Sequence, residues 1–181
     1  MRKVSGVLLT AALVLSVGMV AASPGGAAAA KPTCKTLTGT AAFAPALPKV
    51  GSAAKTKPVV TTKGGKLGGC VGGGVTGGTL ATKLTFGLPS NCSSLLAGSP
   101  TNTKGTVTIV WSNKKTSTAT VTLKGVPKKA TTSTVAGTIT AGLFKASKIS
   151  VVINFTPLKG GCSTAALTSV SYKQVSALTV K

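Results

Sequence analysis

The sequence predicts an all-β fold, and three observations carry that expectation. Apolar residues recur at every second position in seven or eight segments, turns rich in glycine and proline separate those segments, and almost nothing reads as helix. The pattern indicates a two-sheet sandwich or a barrel, and the form expected is an immunoglobulin-like antiparallel β-sandwich of about seven to eight strands. Aromatic residues make up only 3% of the chain, so the core must be built from Val, Ile, Leu and Ala and be small for its length.

The chain opens on a secretory signal peptide, residues 1–30: Arg2 and Lys3 are charged, Val7 to Val20 is apolar, and small residues run on to Ala30. The apolar run is too short and wrongly flanked for a membrane anchor. Cleavage after Ala22 or after Ala30 satisfies the small-residue rule, and Ala30 is preferred, which leaves 31–181 as a single domain. Lys31-Pro32-Thr33 is not the small, apolar approach that would make Cys34 a lipidation site. A secreted, extracellular protein is expected.

Thr33 to Ala44 reads as a first strand with Leu37, Ala41 and Phe43 on one face, ended by Pro45 and Pro48. A second is expected from Ala53 to Thr62. Gly64 to Gly78, with glycine at about every second position around Cys70, reads as a loop between strands. It does not read as a phosphate cradle, which would need a Lys-Ser/Thr pair or a following helix. Leu80, Thr82, Leu84, Phe86 and Leu88 form a third strand, and Cys92 to Ala97 suits one helical turn before Gly98 and Pro100.

The clearest element is a hairpin over Lys104 to Gly125, home of the only tryptophan. Val107, Ile109 and Trp111 fall on one face, Ala119, Val121 and Leu123 on the matching face of the next strand, and mostly threonine lies opposite. A loop of two or four residues would set the apolar set of one strand against the threonines of the other. A three-residue loop, Asn113-Lys114-Lys115, is therefore predicted, pairing Trp111 with Ser117, Ile109 with Ala119, Val107 with Val121, Thr106 with Thr122 and Thr108 with Thr120. After a loop at Val126 to Ser133, one strand carries Val135, Ile139, Ala141 and Leu143 and the next Ile149, Val151, Ile153 and Phe155. Pro157 to Ser163 turns, and Val170, Tyr172, Leu178 and Val180 share the last face. Asn91-Cys92-Ser93 and Asn154-Phe155-Thr156 match the glycosylation sequon, a short pattern that recurs by chance.

The charge balance narrows the chemistry. The chain holds 21 Lys and Arg with no Asp, Glu or His; Arg2 and Lys3 go with the signal, leaving 19 positive side chains, all lysine. General acid–base catalysis at neutral pH draws on His, Asp or Glu, so paired-carboxylate glycosidases, Ser-His-Asp triads and metal hydrolysis are excluded together. Only a Ser or Thr beside a lysine survives, and neither an enzyme nor a cofactor is expected. Without acidic side chains, a surface of lysines repels itself and attracts polyanions with a strength that falls with salt.

The four cysteines, Cys34, Cys70, Cys92 and Cys162, lack a C-x-x-C pair and histidine partners, which disfavours zinc and favours two disulfides in an oxidising compartment. Four cysteines allow three pairings. If the first and last strands lie parallel and side by side, as in immunoglobulin-like sandwiches, Cys34 pairs with Cys162 and Cys70 with Cys92. That pairing is the one favoured; simple up-and-down alternation sets Cys92 at the far end from Cys70, which a folded-back glycine-rich loop around Cys70 or a short third strand would remedy.

A cysteine ahead of Phe43-Ala44-Pro45-Ala46-Leu47, the run Asn91 to Leu96 (NCSSLL), Gly105 to Thr118 (GTVTIVWSNKKTST), Val135 to Phe144 (VAGTITAGLF) and a last cysteine before the final strand are found together. In that combination the chain resembles a group of small secreted actinobacterial β-sandwich proteins with four cysteines, over nearly all of Thr33 to Val180. The resemblance implies the sandwich fold and brings no catalytic or binding residues.

Two non-enzymatic roles follow. One is a structural or adhesive protein whose lysines meet anionic cell-wall or extracellular polymers, with Lys114-Lys115 and Lys128-Lys129 the expected exposed pairs. The other is a cationic binder or toxin-like protein acting on nucleic acid or anionic membrane. Specific nucleic-acid reading favours arginine forks and aromatic stacking, and membrane disruption favours an amphipathic helix. The sequence supplies neither, so the first role is preferred.

Overall fold

Two-residue alternation gives each strand one apolar and one polar face, and the sheet built from them has rolled up until it meets itself. The computed structural model describes residues 30–96, 103–126, 129 and 131–181. The signal peptide expected over residues 1–30 lies outside them except for Ala30. The described residues form nine strands and one short helix: β1 (Thr33–Leu47), β2 (Val59–Val71), β3 (Gly77–Thr85), α1 (Cys92–Leu96), β4 (Thr103–Trp111), β5 (Thr116–Gly125), β6 (Thr132–Gly142), β7 (Lys148–Lys159), β8 (Leu167–Gln174) and β9 (Leu178–Val180).

Every strand from β1 to β8 pairs antiparallel with its neighbours in sequence, and β8 closes on β1 through Ala41↔Val170. β9 pairs with the start of β1 and the start of β7, so after a break at 175–177 it continues the place of β8. Nine strands thus fill eight positions of an up-and-down barrel. The expected immunoglobulin-like sandwich is corrected to this closed barrel. The physical reason lies in strand count and direction. With an even number of alternating strands the last runs antiparallel to the first, so the two edges can hydrogen-bond and no crossover between sheets is needed. The assumption that first and last strands run parallel is the one that fails.

Glycine supplies the bending. Between Thr62↔Thr82 and Gly65↔Leu80, β2 carries one more residue than β3, a bulge at Lys63-Gly64 with Gly64 at φ 71°. The stretch Gly64 to Gly78, expected as a loop, is therefore mostly strand: β2 continues to Val71, a tight turn follows, and β3 begins at Gly77. Next to the bulge, a Cβ on Gly39 or Gly65 would collide with the Tyr172 phenol, which lies across these two bare positions of adjoining strands.

The central hairpin keeps its predicted loop length and both its faces, but the loop sits one residue earlier. Trp111 N–H donates to Lys115 O at 2.9 Å, closing Ser112-Asn113-Lys114 with Lys114 at φ 66°. Ile109 faces Ser117, Val107 faces Ala119, Thr106 faces Thr120 and Thr108 faces Thr118, a shift of two positions from the predicted pairs. A shift of two leaves every side chain on its predicted face. In β6 an extra residue beside Thr118/Ala119 turns Ala141 outward, so it leaves the apolar face expected for it.

The apolar faces point inward. Leu37, Phe43, Val107, Ile109, Val121, Ile139, Val151, Phe155 and Val170 are all buried. Outward positions of β1 to β5 are mainly Thr, Lys and Ser. This is the inverse of a barrel that presents apolar side chains to lipid. Among the described residues no helix is long and apolar enough to cross a membrane.

Candidate functional site

Three surfaces are open to chemistry: the outer wall, the two ends and the lumen. On the outer wall, every lysine among the described residues is exposed. Lys114 and Lys115 sit in the β4–β5 turn and Lys129 in the β5–β6 connection, which leave β5 at its opposite ends. The structure therefore does not bring Lys129 to the Lys114-Lys115 turn. Lys128 lies outside the described residues.

Strand register assembles a feature that sequence reading passed over. Thr61 pairs with Lys83, Lys83 with Thr106, Thr106 with Thr120, Thr120 with Thr138 and Thr138 with Lys148, a continuous row around six strands. All six residues are exposed or half-buried. At about 4.8 Å per strand, Lys83 and Lys148 stand roughly 19 Å apart along the sheet with three threonine hydroxyls between them. Alternation gave the threonines an outward face, but only the register aligns them with the two lysines.

A lysine–hydroxyl pair was the one catalytic arrangement the composition left open. Lys148 Nζ donates to Thr138 Oγ1 at 3.2 Å on this exposed wall. The sequon asparagines are occupied as well: Asn91 Nδ2 donates to Ser52 O at 2.8 Å, and Asn154 Nδ2 to the hydroxyls of Thr131 and Thr132.

The cysteines secure the two ends of the barrel. Cys34 and Cys70 are direct partners in the β1–β2 register and form one disulfide; Cys92 at the start of α1 and Cys162 in the β7–β8 connection form the other. The expected Cys34–Cys162 and Cys70–Cys92 pairing is corrected. Reading the glycine-rich stretch as a loop took Cys70 off the sheet, whereas β2 carries it alongside β1. Two disulfides are compatible with an extracellular location.

Trp111 closes the Cys34–Cys70 end. It is 1% exposed, its Nε1 donates to Ser117 Oγ at 2.8 Å, and Phe144 meets it edge-on with centroids 5.6 Å apart. Helix α1 closes the other end with Leu95 buried. Asn91 Oδ1 caps its Ser94 N–H at 3.2 Å, Cys92 N–H donates to Pro48 O at 2.9 Å, and Thr131 N–H to Leu96 O at 3.3 Å.

Between the ends lies a cavity of about 70 Å³ walled by side chains of β1 to β9 together with Phe86 and Leu95. Its polar groups are Thr62, Thr82, Thr103 and Tyr172. Tyr172 is 6% exposed and its hydroxyl is without a hydrogen-bond partner. Burial raises its pKa above the ordinary 10.0; the neighbouring Thr62 hydroxyl works the other way, though no hydrogen bond of normal geometry joins the two. No charged side chain lines the cavity. Comparison with protein-family models, curated proteins and solved structures finds no match.

Proposed function

We propose that this is a secreted, non-enzymatic structural or adhesive barrel that associates with anionic cell-wall or extracellular polymers through its lysines. The observation that supports the reading best is the distribution of charge: 18 described lysines, all exposed, with no acidic side chain anywhere to neutralise them. A flexible polyanion laid along the wall meets lysines on any side, and the Lys83–Lys148 row adds hydroxyl donors between two cations. A polymer strand can follow only part of a curved wall at once. Attraction is therefore distributed, with little preference among anions, and the Lys114-Lys115 turn contributes alongside the outer wall.

The test is a binding series on the mature chain with washed cell walls and purified polyphosphate. If three or four lysines engage at a time, affinity falls roughly ten- to a hundredfold between 50 and 200 mM salt. Double substitutions Lys83→Gln/Lys148→Gln and Lys114→Gln/Lys115→Gln each lower it by a similar, modest factor. Binding unchanged at high salt would overturn the reading, because it requires a shaped site that does not depend on long-range charge.

A further inference from the structure

We propose that the barrel lumen binds one small, uncharged, mostly apolar molecule carrying a single hydrogen-bonding oxygen, with the Tyr172 phenol as its polar anchor.

The cavity is larger than ordinary packing leaves behind. Native interiors contain few voids bigger than a water molecule, and a water needs only about 10–15 Å³. The lumen offers about 70 Å³, lined by side chains such as Leu80, Val107, Val121 and Val151. An apolar space of this kind does not hold water well, because water needs two to four polar partners. The scale suits a short-chain ketone or alcohol smaller than benzene, since benzene is taken by an apolar cavity about twice this volume.

The second observation is independent of volume. Tyr172 is buried, lines the cavity, and leaves its hydroxyl unpaired. Buried hydroxyls are nearly always satisfied, because an unmade hydrogen bond costs more than a made one returns. Gly39 and Gly65 are bare beneath the phenol, so that two strands give up side chains to hold the ring where it is. A phenol both donates and accepts, so a carbonyl, ether or hydroxyl oxygen on the ligand completes it. Charge is excluded from the ligand, since the lumen has no ion partner and burying a lone charge is prohibitive.

The test titrates the intact mature chain with acetone and with its hydrocarbon isostere isobutene, following methyl resonances by NMR. Methyls of Leu80, Val107, Val121 and Val151 are expected to shift saturably, while those of the exposed Val71 and Val175 stay put. In Tyr172→Phe, acetone affinity should fall about fivefold, the loss expected for one hydrogen bond, with isobutene affinity unchanged. Val151→Phe, which fills the lumen and leaves the wall untouched, should abolish both. Absence of saturable shifts at the lumen methyls overturns the proposal, as does an equal effect of Tyr172→Phe on both probes. If Tyr172→Phe does not fold, binding retained in Val151→Phe overturns it and binding lost supports it.

Discussion

The two ends of the barrel solve one problem in different ways. At the Trp111 end the strands are joined by short turns: Ser112 to Lys115 between β4 and β5, Leu143 to Ser147 between β6 and β7. Side chains already on the strands suffice there, with Trp111, Ser117 and Phe144 filling the mouth, and the Cys34–Cys70 disulfide joins strands that are laddered together anyway. At the α1 end the connections are longer, residues 48–58 and 86–102 among them. That mouth is covered by backbone drawn across it: α1, hydrogen-bonded to Pro48 O, and the β7–β8 connection, tied to α1 by Cys92–Cys162 and to Val50 N–H through Cys162 O at 2.8 Å. Short turns let packing do the sealing, whereas long connections must be fastened.

The comparison is broken most severely at the packed end. Trp111→Ala empties a site that is 1% exposed and should cost about 3–5 kcal/mol in denaturant unfolding. A loss below about 1 kcal/mol would show that the turns alone hold that mouth.

Removing the fastening comes next. Cys92→Ser/Cys162→Ser should cost about 2–5 kcal/mol, and its signature is local: hydrogen exchange at Val50, Thr131 and the amide of position 92 quickens well ahead of global unfolding. The Cys34–Cys70 bridge closes a span of 36 residues against 70, so Cys34→Ser/Cys70→Ser forfeits nearly as much chain entropy, within about 0.6 kcal/mol. The β1–β2 ladder remains, however, and exchange at Leu37 and Leu67 should stay slow. Equal local opening in both variants would erase the distinction between the ends.

The smallest effects are those of pH, which acts on neither mouth. With no carboxylate or histidine side chain, folded and unfolded chains take up protons almost equally on acidification, so the denaturant midpoint should stay flat from pH 7 to about 3 at fixed ionic strength. In alkali two effects oppose. Loss of lysine charge relieves repulsion and favours the fold. Tyr172 has a raised folded pKa, so its contribution is complete below its ordinary 10.0 and is lost as pH climbs through the folded value, where only the unfolded chain ionises freely. Tyr172→Phe should remove that alkaline loss and leave the acid side unchanged, as read from midpoints at pH 9 to 11.

Much of this was legible from alternation. Ile149, Val151, Ile153 and Phe155 fall inward as read, α1 begins at Cys92, and the hairpin faces survive a displaced loop because two-position shifts preserve them. Gly64 to Gly78 was illegible as strand for a physical reason: glycine has no side chain to display a period, so a bulged strand and a loop look alike. Barrel and sandwich share the same inward residues and differ only in which edges meet, which no single segment records. The lumen was hidden for a related reason, since an apolar wall around a cavity and a filled core carry the same residues. The row from Thr61 to Lys148 depends on register between strands far apart in sequence.

The up-and-down strand arrangement is tested most directly by a peptide map of the unreduced chain. Antiparallel pairing of consecutive strands sets β2 beside β1, and α1 lies across the opposite mouth against the β7–β8 connection, so the fragments recovered should join Cys34 to Cys70 and Cys92 to Cys162. Recovery of Cys34 joined to Cys162 would contradict the account, because those residues stand at opposite ends of the barrel and meet only if the strands are arranged otherwise.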